Sequence, residues 1–191
     1  MNTLIIYAHP NPASFSNSIK DTFIEAFNSK GHEVTLRDLY AMNFNPILSG
    51  KDLQEIHSGG MPSDIKVEQD LITKADNLVF VYPIWWAGLP AMVKGYIDRV
   101  LSYGFSYIAT ENGIEGLLKG KKVIIATPHG TPKAYYEPSG MWKSLSQTQD
   151  QGIFEFCGIE VSKHFFFPIM GTEEAERKNY LKEIEDFVEK M

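Results

Sequence analysis

Leu78-Val-Phe-Val-Tyr-Pro-Ile-Trp-Trp-Ala-Gly-Leu-Pro90 is the stretch whose reading decides the fold. Its first five residues form an unbroken apolar run, the pattern of a strand covered on both faces. After Pro90 the segment Ala91 to Leu101 alternates with a helical period. A strand that ends in two tryptophans, a glycine and two prolines before a helix begins describes a rigid aromatic platform at the carboxyl edge of a parallel sheet. Such edges bind ligands. The competing reading, that Trp85 and Trp86 are ordinary core, is weakened by a second loop of the same kind. The chain opens with the apolar strand Leu4-Ile-Ile-Tyr-Ala8, followed by His9-Pro-Asn-Pro-Ala-Ser-Phe-Ser16 and a helix with Ile19, Phe23, Ala26 and Phe27 in its apolar stripe.

Working outward, the pattern predicts strands over 4–8, 33–38, 77–82, 121–127 and 159–166. Helices are expected over 16–29, 65–74, 90–102, 140–156 and 172–190. The third, fourth and fifth strands read as largely unbroken apolar runs, and Tyr180, Leu181, Ile184, Phe187 and Val188 stripe the last helix. Right-handed crossovers then give an α/β, doubly wound, three-layer fold with a five-stranded parallel sheet of flavodoxin-like order 2-1-3-4-5. The switch point of that order lies between strands one and three, where loops 9–16 and 83–90 meet.

Composition sets outer limits. The 191 residues are 43% hydrophobic and 22% charged, which suits one domain over 1–191 with a substantial core. A net charge of -6 argues against a nucleic-acid footprint, so an anionic ligand must be held by backbone groups. Cys157 is the single cysteine, which leaves no disulfide framework and no thiolate metal site, and the remaining histidines lack metal-ligand spacing. No signal peptide or membrane-length apolar run is visible, and the expected location is cytoplasmic.

The loops carry the chemistry. Ser14 and Ser16 precede a helix whose unpaired amides and dipole make an anion site, although Ser16 as a simple cap is the bland alternative. Pro10 and Pro12 stiffen the loop, and His9 is placed either to contact a phosphate or to pack on the sheet edge. Neither GxGxxG nor GxxxxGKS occurs, so a dinucleotide fingerprint and a triphosphate loop are unsupported. A third loop, Thr127 to Gly140, contains Gly130 for close backbone approach and either Tyr135 or Tyr136 to reach over a ring. A planar ligand gripped by three loops, with phosphate at a helix start and aromatics over its face, describes a flavin.

Over nearly its whole length the chain resembles the NAD(P)H:quinone oxidoreductase family, the DT-diaphorase-like flavoproteins. The carriers are Leu39-Tyr-Ala-Met-Asn-Phe-Asn-Pro46, Pro83-Ile-Trp-Trp-Ala-Gly-Leu-Pro-Ala91 with Lys94-Gly95, Gly104-Phe-Ser-Tyr107, and Phe156-Cys-Gly158. The resemblance implies that His9, Phe15 and Ser16 hold the flavin's phosphates and ribityl chain. It implies that the segment from Pro83 through Ile84, Trp85, Trp86 and Ala87 lies along the ring, with Asp98 an acidic cofactor contact. Thr127, Pro128, His129 and Gly130 align with a turn serving the pyrimidine end, and Tyr135 with a tyrosine that steadies the reduced ring. Trp86, Tyr107 and Phe156 align with the substrate walls. Arg177 falls where the family places a basic contact to the adenine end of FAD.

The departures bear on mechanism. A histidine that acts with that tyrosine in mammalian members is Met141 here, and His129, in place of a turn glycine, is the candidate replacement. Pro128 removes a backbone donor from the turn. The family's insertion after residue 50 is missing, which leaves FMN as the alternative to FAD. The resemblance implies a ping-pong cycle in which NADH or NADPH gives a hydride to the flavin and a quinone then takes it. It also implies a homodimer with sites built from both chains. Two other functions are compatible with the residues: a flavodoxin-type electron carrier or regulatory subunit of a membrane transporter, and an FMN-dependent azo- or nitroreductase.

Overall fold

The computed structural model describes residues 1–191. Five parallel strands form the sheet: β1 (Asn2–Tyr7), β2 (Glu33–Asp38), β3 (Asn77–Val81), β6 (Lys122–His129) and β7 (Glu160–Pro168). Their order, β2-β1-β3-β6-β7, is the predicted 2-1-3-4-5 once a separate hairpin, β4 (Tyr107–Thr110) with β5 (Gly113–Gly116), is set aside. The three central strands are buried almost throughout, as their apolar runs require. The two edge strands are not. β7, expected as an unbroken apolar run, alternates in burial because one of its sides has no neighbouring strand.

Side chains alternate across the sheet and divide the core in two. On one face Ile19, Phe23 and Phe27 of α1 (Phe15–Ser29) and Ile184 and Val188 of α7 (Glu174–Glu189) pack against Ile5, Val79, Ile124 and Phe165. On the other, α3 (Ser63–Lys74) and α4 (Ala91–Val100) cover Leu4, Phe80, Val123 and Ile125.

Besides the β4–β5 hairpin, three helical features depart from the sequence reading. A helix α2 (Gly50–His57) lies in a stretch where none was expected, started by a capping box in which Asp52 N–H donates to Ser49 Oγ and Ser49 N–H to Asp52. Arg99, buried on α4, ties this segment down by donating to Asp52 at 3.1 Å and to Asp64 at 2.6 Å. The helix expected over 140–156 is not uniform: it runs as α6 (Met141–Ser146), a π-helical segment (Gln147–Phe154) and a final 3-10 turn (Glu155–Cys157). The wider turn lets neighbouring Gln149 and Asp150 both face inward, where Gln149 accepts from Tyr82 Oη at 2.9 Å and Asp150 meets His164 at 2.7 Å. A short helix α5 (Lys133–Tyr136) completes the set.

Candidate active site

The loops after β1, β3 and β6 converge at the carboxyl edge. The first is built before any ligand arrives: Asn11 N–H donates to His9 Nδ1 at 3.0 Å, and Ala13 N–H to Asn11 Oδ1 at 2.9 Å. Ser14 Oγ caps α1 by accepting from Asn17 N–H. The amides of Phe15 and Ser16 stand in the first turn, where a helix offers donors without intrahelical partners. Ser16 itself is buried.

The second loop folds back on itself. Trp85 and Gly88 exchange backbone hydrogen bonds at 3.2 and 3.1 Å across a two-residue turn, and both turn residues, Trp86 (φ 51°) and Ala87 (φ 54°), adopt the left-handed conformation. That backbone suits Asn-Gly. Holding a tryptophan and an alanine there stores strain of the kind found at functional sites, and it drives Trp86 fully into solvent (103% exposed). Trp85 turns instead toward the first loop, its ring edge-on to His9 at 5.8 Å.

The third loop joins the second through Ile84 N–H, which donates to the Pro128 carbonyl at 3.0 Å. Thr127 and His129 are buried at its start. The His129 ring lies parallel to Tyr136 at 5.6 Å and edge-on to Trp142 at 5.3 Å, so Tyr136 rather than Tyr135 is its partner. Tyr135 stands 72% exposed. The Nδ1–H of His129 donates to the Thr127 carbonyl at 3.1 Å, which leaves Nε2 as a bare, buried acceptor without a partner. Burial lowers its pKa, with the nearby His164 adding to the effect and the Thr127 bond opposing it. The ring is thus a neutral acceptor enclosed behind the turn. In this arrangement the Nδ1 proton of His129, expected to meet negative charge on a ligand, points at the Thr127 carbonyl.

Arg177 is brought to the first loop, with its guanidinium 5.9 Å from the Phe15 ring and held by Thr172 Oγ1 and the Ile169 carbonyl. Tyr107 and Phe156 meet edge-on at 5.1 Å, and with Asp98 they line a cleft of about 340 Å³ beside α4. Asp98 accepts from Lys94 at 2.5 Å. It therefore stands with the expected substrate walls and apart from the phosphate loop. A wider cleft, about 590 Å³, follows the outer edge of β7 past Lys163, Phe166 and Tyr180, away from the first two loops. Trp142, Asp150 and His164, which pack behind the third loop, were not singled out in the sequence; no spacing marks residues joined only by a bulged strand and a π turn.

The fold and the sequence have counterparts. A family model for the flavodoxin-like fold matches residues 1–189. A Haemophilus influenzae protein described as an uncharacterized NAD(P)H oxidoreductase is 48% identical over 162 residues, covering 84% of this chain and 80% of the relative. The ribosyldihydronicotinamide dehydrogenase [quinone] of Pongo abelii is 33% identical over 197 residues, covering 92% and 85%. The NAD(P)H:quinone oxidoreductase structure from Methanothermobacter marburgensis superposes with a TM-score of 0.89 at 29% identity, covering 98% of this chain and 97% of that one. Three converging loops on a 2-1-3-4-5 sheet and relatives matched across most of their length place this chain, an oxidoreductase, in the NAD(P)H:quinone oxidoreductase family of flavodoxin-like fold.

Proposed function

We propose that the protein is a flavin-dependent NAD(P)H:quinone oxidoreductase that works in ping-pong fashion, with FAD as cofactor and FMN as the alternative. The observation that carries this reading is the convergence of an anion-ready helix start, a strained aromatic turn and a glycine-containing turn on one sheet edge. The donor set suits a flavin. Phosphate is served by the Phe15 and Ser16 amides and the Ser14 and Ser16 hydroxyls, with His9 and the Arg177 guanidinium beside them. The planar ring is served by the backbone of Pro83 to Ala87 and by Thr127 to Gly130, where an added Cβ on Gly130 would touch only Met170.

When bound, a flavin supplies the two-electron step, taking a hydride from NADH or NADPH and giving it to a quinone-type acceptor. The chain's own residues do the rest. Tyr107 and Phe156 provide an aromatic wall on which a planar substrate stacks, and the exposed Trp86 offers a further ring. The turn amides that Pro128 does not remove, together with the exposed Tyr135 hydroxyl, donate toward developing negative charge. His129 positions the turn through its bond to Thr127.

A homodimer fits the surface. Trp85, Trp86, Tyr103, Tyr135, Phe156 and Met170 are all large and exposed, side chains that a second copy would cover while closing each site. Initial rates with varied NADH or NADPH and varied quinone test the proposal. Parallel lines in double-reciprocal plots, with FAD released from the denatured protein, are expected; intersecting lines or no turnover with either donor would overturn it.

A further inference from the structure

Two irregularities of the backbone meet behind the third loop. The ladder between β6 and β7 slips at Val123/Ile124: Val123 pairs with Val161 but Ile124 with Lys163, so Ser162 is an extra residue. A bulge of this kind re-aims every side chain beyond it. Here it places His164 opposite Ile125, on the sheet face covered by the π-helical segment, whereas a regular ladder would have put Lys163 there. The π turn in the same place presents Asp150 inward. Both departures from regular structure are resolved in one contact, Asp150 Oδ1 to His164 Nδ1 at 2.7 Å.

The chain of bonds continues to the third loop. His164 Nε2 and the Phe165 carbonyl lie 3.0 and 3.1 Å from Thr127 Oγ1. With Nδ1–H on the Asp150 carboxylate, a neutral ring accepts the Thr127 hydroxyl at Nε2, and a ring carrying both protons donates there while Thr127 donates to Phe165. The links at His164 are nearly dry, His164 and Asp150 having side chains only 4% and 14% exposed. Thr127 in turn receives His129 Nδ1–H on its carbonyl, and the next residue, Pro128, has no N–H with which to anchor the strand end. The side-chain chain supplies the anchor that the proline removes.

We infer that Asp150 and His164 are positioning residues for the 127–130 turn, setting through Thr127 how tightly that turn holds the flavin's ring. The inference rests on the flavin reading above. Its test exploits the two nitrogens of His164. Glutamine reproduces a hydrogen-bonding group at Nε2, facing Thr127 and able to donate or accept, while asparagine reproduces only the position of Nδ1, facing Asp150.

FMN and FAD are titrated separately into the apoproteins of wild type, H164N, H164Q, D150N and T127V. Dissociation constant, the visible spectrum of bound flavin and apoprotein melting temperature are recorded. H164N and T127V are expected to bind about tenfold more weakly with a shifted visible band, and H164Q to recover most of the affinity. H164N and H164Q should melt alike, which a merely structural histidine would not combine with different flavin affinities. H164Q binding as weakly as H164N, or T127V binding like wild type, would overturn the relay while leaving the flavin reading in place. Wild type that takes up neither flavin would overturn both.

Discussion

A methyl group added at Gly95 would lie 2.0 Å from the Pro46 carbonyl oxygen, so α4 and the Leu39–Pro46 loop touch through bare backbone. Gly95→Ala should cost about 1–3 kcal/mol in urea unfolding, since backbone on both sides leaves little room to yield. The Lys94-Gly95 pair was legible as part of a motif, but its reason was not, because Pro46 lies far away in sequence. Trp86 separates function from stability at the same scale. Trp86→Gly relieves a left-handed tryptophan and removes an exposed ring, so stability should hold or rise by about 1 kcal/mol while kcat/KM for the quinone falls about tenfold or more. His129 gives the pH dependence. Its folded pKa lies below the unfolded value near 6.5, so the unfolded chain binds more protons at acid pH. The stability from keeping the ring neutral is full above about pH 6.5 and is lost as pH falls through that value toward the folded pKa. Partly buried His32 is shifted the same way, so unfolding midpoints should drop from pH 7.5 to 5.5 in wild type and drop less in His129→Gln.

Among the elements, the hairpin β4–β5 is held to the body at Gly116, whose added Cβ would meet the Cys157 carbonyl carbon and Gly158 nitrogen at 2.3 Å. Leu118 N–H donating to the Cys157 carbonyl at 2.9 Å reinforces this seam. Because Tyr107 belongs to the hairpin and Phe156 to the turn beneath it, Gly116→Ala should pull the two walls apart. Quinone KM is expected to rise severalfold with flavin content unchanged; an unaltered KM would contradict the wall assignment. The hairpin was not legible because its short, exposed strands have no apolar alternation. Helix α2 was legible in principle, through Ser49 and Asp52 at capping-box spacing. The π-helical break within 140–156 was not, since it answers to Tyr82, just past β3, and to His164 on β7, contacts that no local pattern marks.

For the whole molecule, five alternating strand and helix signals sufficed to give the sheet order, because buried parallel strands and right-handed crossovers leave few arrangements. The same patterning located the three loops at one edge. What it could not give was the facing of side chains around them: Tyr136 rather than Tyr135 lies against His129, and Asp98, expected as a cofactor contact, shares a cleft with Tyr107. The exposed aromatic surface around Trp86 makes a concentration test informative. Specific activity should fall on dilution if a second copy completes each site, and a fully active monomer would contradict that. The central claim, hydride transfer through a flavin held by these three loops, is tested most directly by adding NADH, and separately NADPH, without oxygen to the flavin-loaded protein while following the visible flavin band. Rapid bleaching that a quinone then reverses is the predicted result; a flavin band that neither nucleotide bleaches would contradict the account.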